Sequence, residues 1–568
     1  MISKSRNKHR ERNGRRRPST RRAYLELLEP RTLLSAAGFQ PSAAGDWAET
    51  PSRGLAQAAP ILYGGPGDQF GTDVEAGGDE VYAVGQQGSQ GVLLHLAATD
   101  TVPAWEKLLD SGSGLYGLSL SASGIQAVGN ARPPTYGARD SMGDTEQKPL
   151  LAQLTLDGEL VKTSTENFFS YRGGEDYSDS LSVGSGSDEV TYVVGVGEQT
   201  GWGGRRTILA KYTADGSLDW KRAYATDAAG NPLAGTGTRI ASVGFDLAWL
   251  NGSLYVAGFD RDASQVGGSG THAMLLKYDA AAQPADPQPR ADGAAALVPE
   301  WSQVLAVESD FRSVIAADGY LYAVGHTFTS HVAGSEDFLL AKYDETGRQI
   351  WQTTTGGTGT DVLTAVVAVN GRLFATGYTT SAGAGGEDVV VLEIDPASGT
   401  VLSQHLFGGA ADDRAENAAA VGNSVYLIGG TRSFTAGGNA AGESDLLLLR
   451  YDLIDLRADS FIPTPTGFVA EFNRELDSAE LNLYQSQIGG AQGGSDVTLH
   501  GVHSGDVPGT LIVDANLRKI TFVKTGGGLA PDTYTVTLRS GVTGFKDTEG
   551  NLLNGDGAGP AGDDFVQD

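Results

Sequence analysis

The sequence predicts an all-β protein in which a seven-bladed β-propeller, closed by an N-terminal strand, precedes a β-sandwich. Three observations lead to this prediction: a strand signature that ends in glycine and recurs seven times, a spare strand ahead of the first copy, and a change of pattern near Leu453. Glycine is also abundant, with 80 residues among 568, and it separates short apolar runs as tight turns between strands require.

The recurring signature is a run of β-forming residues that ends in glycine. Its seven copies start at Val81, Ile125, Thr191, Leu254, Leu321, Leu373 and Val425. A second apolar strand and a turn follow, and then a strand that begins near a tryptophan in four units, at Trp105, Trp220, Trp301 and Trp351. Units of four short strands repeated around a ring describe a β-propeller, which has roughly 4–8 blades.

The two ends of the repeat array complement each other. The last unit, residues 413–452, lacks an outer strand, whereas residues 60–65 form a spare strand ahead of the first unit. Joining them removes the exposed edges that an open ring would present. We therefore predict a propeller over residues 58–453 in which the strand at 60–65 completes the last blade.

The blades resemble the bacterial β-propeller repeats called SBBP, in which a Gly-Gly and acidic turn precedes a valine-rich strand and a Tyr-X-X-Gly strand. The resemblance is clearest over residues 310–453 and looser over 66–309. Insertions at Asn130–Lys148 and Ala281–Val298 depart from the pattern. Their Pro, Gly, Ala and Asp content predicts surface loops, which are candidate contacts for a partner.

Residues 458–568 lack the blade signature. Their strands alternate with a period of two between regular turns, a pattern typical of a sandwich of roughly 100 residues. Three segments, residues 472–477, 529–534 and 544–551, resemble bacterial Ig-like domains of surface proteins. That resemblance implies an Ig-like β-sandwich with a spacer or adhesive role.

The charge of the N-terminal segment is opposite to that of the remaining chain. Residues 1–31 carry 11 Lys and Arg against 3 Glu, a net charge of +8, so the remaining chain carries −28 − 8 = −36. An acidic body repels phosphates. The sequence therefore argues against nucleic acid as a partner.

Residues 28–35 resemble the LEPRxLL motif found near the N-termini of large extracellular proteins of certain bacteria. The residues that carry the motif are Leu28, Glu29, Pro30, Arg31, Leu33 and Leu34. The resemblance implies that residues 1–37 direct export or surface targeting, and residues 38–57 read as a linker. The alternative is a disordered basic tail that binds nucleic acid or membrane. The apolar part is too short and too charged for a transmembrane helix, so none is predicted.

No catalytic residue is assigned from the sequence. The absence of cysteine excludes disulfides, thiolate metal sites and cysteine nucleophiles. His326 and His331 share a predicted loop without a third ligand, whereas His500 and His503 are predicted to point to opposite faces of a strand. Neither an HExxH motif nor a P-loop is present.

Aspartates and aromatic residues recur at equivalent places in the blades, which favours structural roles. Aspartates at such places are predicted to cap turns, with calcium binding at some of the turns as the alternative. The aromatic residues are predicted to be core, with sugar stacking as the alternative. The aspartates are Asp68, Asp73, Asp176, Asp179, Asp361, Asp412 and Asp413, and, ahead of long apolar strands, Asp337, Asp388 and Asp445.

The C-terminal tail is the weak candidate for a metal site. Its oxygen ligands suit calcium, but the spacing and the closing glutamate of a calcium loop are missing. The candidates are Asp547, Asn554, Asp556, Asp563 and Asp564. We therefore predict no cofactor, with calcium as the alternative.

These features predict a secreted or cell-surface protein that acts as a non-catalytic binding or adhesion platform. Its partner would be an envelope or extracellular protein or polysaccharide. The alternative is an extracellular lyase or hydrolase of polysaccharides, which needs convergent acid and base groups in the central channel or on one face. Clustered, buried carboxylates would favour the enzyme, and evenly exposed ones the platform.

Overall fold

The structure is a computed structural model. It describes residues 55–65, 67–97, 100, 102–131, 148–165, 175–199, 204–224, 241–261, 270–279, 295–297, 299–328, 336–435, 443–479, 481, 495–541, 543–548, 550–555 and 562–568. These residues form 37 strands and one short 3-10 helix, Gly186–Asp188, and contain no α-helix. In this part of the chain, no helix is long and apolar enough to cross a membrane. The LEPRxLL segment lies outside the described residues.

The strands follow in chain order. Residues 55–224 contain β1 (Leu55–Gln57), β2 (Ile61–Tyr63), β3 (Gln69–Gly77), β4 (Glu80–Gln87), β5 (Gln90–Ala97), β6 (Trp105–Ser111), β7 (Ser113–Ser121), β8 (Gly124–Ala131), β9 (Lys148–Leu154), β10 (Leu160–Thr165), β11 (Glu175–Val183), β12 (Val190–Gln199), β13 (Gly204–Thr213) and β14 (Leu218–Tyr224). Residues 241–453 contain β15 (Ala241–Leu250), β16 (Ser253–Arg261), β17 (His272–Asp279), β18 (Ala295–Leu297), β19 (Trp301–Ala317), β20 (Tyr320–Phe328), β21 (Glu336–Asp344), β22 (Gln349–Thr355), β23 (Asp361–Val369), β24 (Arg372–Thr379), β25 (Asp388–Ile394), β26 (Val401–Phe407), β27 (Asp413–Val421), β28 (Ser424–Thr431) and β29 (Asp445–Leu453). The remainder contains β30 (Ala458–Thr464), β31 (Gly467–Phe472), β32 (Val497–Gly501), β33 (Gly505–Asp506), β34 (Gly509–Val513), β35 (Lys519–Lys524), β36 (Tyr534–Leu538) and β37 (Phe565–Gln567).

Antiparallel units of four strands follow one another along residues 69–453. β3–β6, β7–β10 and β23–β26 each form one such sheet, and β11–β14 gains β18 as a fifth strand. The 17-residue strand β19 belongs to two units, because Trp301–Glu308 pairs with β17 and Ser309–Ala317 pairs with β20. In each unit, the strands hydrogen-bond in chain order from the first strand outward.

The first strands of successive units pack side by side. β3 packs on β7, β7 on β11, β11 on β15, β15 on β19, β19 on β23, β23 on β27, and β27 on β3 again. The buried side chains between units come from both neighbours; Val128 and Leu151, for example, pack with Tyr177 and Ile208 of the next unit. A four-stranded unit cannot bury its own faces, so its neighbours supply the core. The fold is all-β and β-propeller-like.

The segment before the first unit supplies the outer strand of the last unit. β2 pairs with β29 from Ile61↔Leu448 to Tyr63↔Leu446. β1, which falls in the predicted linker, extends this pairing from Leu55↔Leu453. The side chain of Leu62 is 2% exposed and joins the core of the last unit. The segment at residues 60–65 therefore supplies the outer strand that the sequence predicted the last unit to lack.

A β-bulge interrupts the first strand of every unit opposite the signature glycine. The residues paired just before the bulge are Gly71, Leu115, Tyr177, Gly244, Phe311, Leu363 and Ala415, and their partners are Gly85, Gly129, Gly195, Gly258, Gly325, Gly377 and Gly429. A Cβ atom on any of these seven partner glycines would collide with a backbone carbonyl oxygen of the first strand. The signature ends in glycine because the bulged strand leaves no room for a side chain.

Residues 458–567 form two four-stranded antiparallel sheets, β30-β31-β35-β34 and β33-β32-β36-β37. Phe468 and Ile520 of the first sheet share one buried cluster with Leu499 and Val536 of the second. Two sheets that bury their facing side chains in one core form a β-sandwich.

We predict that Leu62→Ala destabilises the repeat region by about 2–4 kcal/mol, because it leaves a cavity in the last unit. The matched control is Val161→Ala on outer strand β10, where the side chain is 68% exposed and the expected change is below about 0.5 kcal/mol. The measurement is urea unfolding followed by tryptophan fluorescence, since all seven tryptophans precede residue 453. Equal midpoints for the two variants would mean that β2 contributes nothing to the ring.

Candidate functional site

The connections between strands emerge at two ends of the repeat region. At one end, which we call the loop end, each second strand leads to the third and each fourth strand leads to the next unit. We call the opposite end the turn end. The turn end has two-residue turns such as Asp318–Gly319 and Asn370–Gly371. At the loop end, connections that include residues 132–147, 166–174, 225–240, 262–269, 329–335 and 436–442 leave and re-enter described strands.

The two insertions predicted to be contact loops emerge at opposite ends. The insertion at 130–148 joins β8 to β9 at the loop end, whereas the one at 281–298 joins β17 to β19 at the turn end. The second insertion is not loop throughout, because it contains β18, which pairs in parallel with β14 of the preceding unit. It thereby covers the edge of that unit. Of the two insertions, only the first is therefore at the end where a partner of the loop end would bind.

The bulges place polar side chains around a cavity of about 410 Å³ where the first strands meet. The residue that follows the bulge lines this cavity in five units; these residues are Asp73, Asp179, Asp246, Ser313 and Asn417. The other two units have Gly117 and Ala365 there. At Gly117 a Cβ atom would press against the backbone of Asp179. We refer to Asp73, Asp179, Asp246 and Glu75 as the axial carboxyls.

Three of the axial carboxyls, those of Asp73, Asp179 and Asp246, accept hydrogen bonds from backbone N–H groups of adjacent units. Asp73 Oδ2 accepts a hydrogen bond from Leu118 N (2.5 Å), and Asp246 Oδ2 accepts one from Val314 N (2.7 Å). Asp179 Oδ2 accepts from Leu247 N at 3.2 Å. Each bond reaches the first strand of the following or adjacent unit, whose inner edge faces the cavity. The axial carboxyls therefore join neighbouring units.

Polar side chains also link the axial carboxyls to one another and to the last unit. Asn417 Nδ2 donates to Asp73 Oδ1 at 2.5 Å, which connects the last unit to the first. The carboxyls of Asp179 and Asp246 are close enough to influence each other's pKa. A carboxyl pair of this kind can exchange a proton with a bound molecule, or it can serve only to hold two strands together.

Burial raises the pKa of every axial carboxyl. Burial, followed by repulsion from Glu75, holds the pKa of Asp73 well above its usual range. Burial and then repulsion from Asp246 do the same for Asp179. The pKa of Asp246 is also raised by burial, although hydrogen bonds from Asp179 and Ser313 oppose the rise. Burial raises the pKa of Glu75 to about 7, so this group titrates near neutral pH.

The aspartates predicted to cap turns divide into two groups. Asp361 and Asp413 accept hydrogen bonds from Gly357 N (2.6 Å) and Gly409 N (2.8 Å), as predicted. In the same way, Asp68, Asp388 and Asp412 accept backbone N–H groups of the connections.

The prediction was wrong for three aspartates. Asp73, Asp176 and Asp179 lie inside first strands rather than in turns. The bulge redirects the side chains of Asp73 and Asp179 toward the cavity, which the two-residue period of a regular strand does not reveal.

Aspartates at the start of the third strands explain the recurring Gly-Gly pairs. A Cβ atom on Gly356 would collide with the carboxyl of Asp337, and one on Gly408 would collide with that of Asp388. A Cβ atom on Gly64 would likewise collide with the carboxyl of Asp445. The first glycine after a fourth strand thus makes room for the carboxyl that begins the third strand of the same unit.

Four of the five candidate calcium residues of the C-terminal tail hydrogen-bond to other groups of the protein. Asp547 Oδ2 accepts Arg474 Nε (2.6 Å), and Asn554 Nδ2 donates to Asp455 Oδ2 (3.2 Å). Asp563 accepts Gly555 N and Asp564 accepts Ser540 N. Asp556 lies outside the described residues, so calcium at this tail stays a prediction. Across the described ranges, no group of three or more His, Asp or Glu side chains is placed to hold a metal ion.

The histidines singled out in the sequence lie beside carboxylates. His326 is in strand β20 rather than in a loop, and its Nδ1 is 2.7 Å from Asp310 Oδ1. His331 is outside the described residues. His500 lies 2.7 Å from Asp506, and His503, which follows β32 instead of belonging to it, lies 2.9 Å from Asp532.

The repeated aromatic residues form the same contact in four of the units. A signature tyrosine packs against the tryptophan of the fourth strand, with ring centroids 5.8–6.2 Å apart; the pairs are Tyr82–Trp105, Tyr192–Trp220, Tyr255–Trp301 and Tyr322–Trp351. The four tyrosines are buried, which confirms the prediction that they are core.

Comparisons with known proteins give no family. No family model matches the chain, and no curated protein matches it. Among solved structures, the chain is similar to the WD40 β-propeller domain of Doa1 (10% identity, TM-score 0.39, 70% of this chain and 97% of that one). It is also similar to the endosialidase of phage phi92 (11%, 0.39, 84% and 89%) and to the polysaccharide lyase Uly1 (11%, 0.43, 70% and 100%). Likenesses at these TM-scores support no conclusion about function.

We predict that stability falls as the pH rises from about 4.5 to 7, because folded Glu75 keeps a proton that the unfolded chain has released. Glu75→Gln removes this contribution and is expected to raise the stability at pH 8 by on the order of 2–3 kcal/mol, with little effect at pH 4. Urea midpoints at the two pH values measure it. The exposed carboxylate of Glu106 supplies the control, Glu106→Gln. An unchanged pH dependence in Glu75→Gln would show that Glu75 ionises normally.

Proposed function

We propose that this chain is a secreted or cell-surface bacterial protein that acts as a non-catalytic binding or adhesion platform. In this proposal, residues 1–37 with the LEPRxLL motif direct export, a seven-bladed β-propeller presents the binding surface, and an Ig-like sandwich serves as the stalk. The observation that carries the proposal is that most of the longer connections between strands emerge at one end of the ring, the loop end. Binding residues lie typically on loops that a rigid scaffold positions.

The finer fold assignment has support from two places. Seven first strands pack in a cycle from β3 through β27 and back to β3, and β2 completes the last unit. In the sandwich, Tyr534 Oη donates to Ala530 O at 2.9 Å. This contact is similar to the tyrosine corner of immunoglobulin-type sandwiches, in which the hydroxyl bonds to the backbone a few residues upstream.

Hydrogen bonds tie the described parts of the loop end together. Gly67 N donates to Glu443 Oε2 (3.0 Å), and Ser444 N donates to Asp68 Oδ1 (2.9 Å). These bonds link the connection within the last unit to the one that enters the first unit. A surface held in this way loses little conformational entropy when it binds a partner. The net charge of −36 over residues 32–568 favours an envelope or extracellular protein or a polysaccharide over a nucleic acid.

Catalysis on polysaccharide is the second candidate function, because the axial carboxyls cluster around one cavity. The neighbouring carboxyls of Asp179 and Asp246, whose pKa values are both raised by burial, are the specific observation in its favour. The bonds from Leu247 N and Val314 N to the same carboxyls argue for a structural role, since a substrate would have to compete with them. Cleavage of a polysaccharide by the purified protein, abolished in Asp179→Asn, would favour the enzyme.

We expect protease shaving of intact native cells to degrade this protein, and N-terminal sequencing to place the mature N-terminus after about residue 35. Replacing Pro30 and Arg31 with alanine is expected to keep the protein inside the cell. The control replaces Arg21 and Arg22 with alanine, which removes charge but keeps the motif. A full-length protein found in the cytoplasm with its basic segment intact would refute the surface proposal.

A further inference from the structure

A second cavity, of about 300 Å³, opens at the loop end between the last unit and the first. Its walls come from β3, β27, β28 and the connection that leads into β29. The lining residues are Phe70, Asp412, Arg414, Glu416, Gly430, Arg432 and Ser444. Its volume is at the lower limit of small-molecule sites, which span roughly 300–1,000 Å³.

Glu416 is the bulge residue of its unit, and its role differs from that of equivalent residues. The bulge residues are Thr72, Tyr116, Ser178, Phe245, Arg312, Thr364 and Glu416. Thr72 Oγ1 and Thr364 Oγ1 each donate, at 2.8 Å, to a carbonyl oxygen of the following unit. A glutamate has no such hydroxyl, and Glu416 lines the cavity instead. Six residue types occupy this position in the seven units, so the bulge itself does not require a particular side chain.

Ion pairs hold the polar groups of the cavity wall in place. Arg414 bonds to Glu387 through two nitrogens and lies over the ring of Tyr378, 4.6 Å from its centroid. Arg432 Nη1 is 3.2 Å from Asp412 Oδ2, and these side chains are 49% and 44% exposed. Planar groups fixed in this way can each make paired hydrogen bonds to vicinal hydroxyls.

The lining is balanced in charge, with Arg414 and Arg432 against Asp412 and Glu416. A wall without excess charge gives no electrostatic advantage to a charged ligand over a neutral one. Burial raises the pKa of Glu416 even though Arg414 and Arg312 oppose the rise. Its carboxyl can accept hydrogen bonds from sugar hydroxyls. The half-buried ring of Phe70 adds the only aromatic face of the lining.

The geometry points to this cavity as a binding site for a neutral saccharide of one or two pyranose rings. Asp412, Arg432 and Glu416 bond to its hydroxyls, and Phe70 packs against its C–H face. This inference rests on the proposed function, because it names the class of ligand that the proposed binding platform would take. The cavity itself is formed by the ring closure, since Phe70 and Glu416 come from the first and last units.

The most informative variant is Glu416→Thr, which installs the residue found at positions 72 and 364. It is expected to fold with unchanged or higher stability and to bind saccharide at least about tenfold more weakly. Phe70→Ala tests the aromatic face in the same assay. Arg348→Ala at the turn end, where the side chain is 75% exposed, is the control that should bind as wild type does.

Saturation-transfer NMR of the full chain with methyl pyranosides of glucose, galactose and mannose, and with their β-linked disaccharides, provides the measurement. Glucuronate and glucosamine are the charged comparisons, and tryptophan-monitored unfolding checks each variant. We expect binding of at least one neutral sugar that Glu416→Thr weakens. No binding of any neutral sugar, equal binding by Glu416→Thr, or stronger binding of a charged sugar would overturn the inference.

The sugar-binding experiment and the cell-surface experiment can fail independently of each other. A cytoplasmic protein that binds a sugar through Glu416 would refute the surface location and keep the site. A surface protein that binds no neutral sugar would refute the site and keep the location.

Discussion

In every repeat unit, a bulged first strand lies directly over the signature glycine of the second strand. The contact between Gly429 and the carbonyl oxygen of Arg414 is one of seven equivalents. The extra residue of the bulge turns the next side chain toward the axis, where Asp73, Asp179 and Asp246 meet the inner edges of neighbouring units. One steric requirement in the second strand thus determines which first-strand residues face the cavity, and the same requirement appears in the sequence as the recurring glycine.

Two kinds of interaction then hold the units together. Apolar side chains between the sheets supply most of the burial, as in the cluster that contains Val128 and Ile208. Hydrogen bonds from the axial carboxyls satisfy backbone N–H groups at the inner edges, which the apolar core cannot do. Burial raises the pKa of these carboxyls, and that of Glu75 to about 7, so the stability of the axis is expected to depend on pH. The connections at the loop end differ in length from unit to unit, and they are the basis of the proposed binding role.

The repeat organisation could be predicted from the sequence because strand signatures and turn glycines are local patterns. The pairing of residues 60–65 could also be inferred, since a surplus at one end matched a deficit at the other. The bulges could not be predicted, because one extra residue in a strand does not change the hydrophobic pattern. For this reason the sequence placed Asp73 and Asp179 in turns. The cavity at Glu416 depends on Phe70 from the opposite end of the repeat region. Alignment of the units on their signature glycines places Glu416 at the position of Thr72 and Thr364, but it does not show that a bulge and a cavity lie there.

The contact between bulge and glycine is tested most directly by two adjacent substitutions in β28. A Cβ atom on Gly429 would collide with Arg414 O, whereas one on Gly430 has only ordinary contacts. Gly429→Ala should therefore lower the free energy of unfolding by about 1–3 kcal/mol, and Gly430→Ala should leave it unchanged or raise it slightly. The measurement is urea unfolding monitored by tryptophan fluorescence. Equal stability of the two variants would contradict the account, because the first strand would then not be held against the signature glycine.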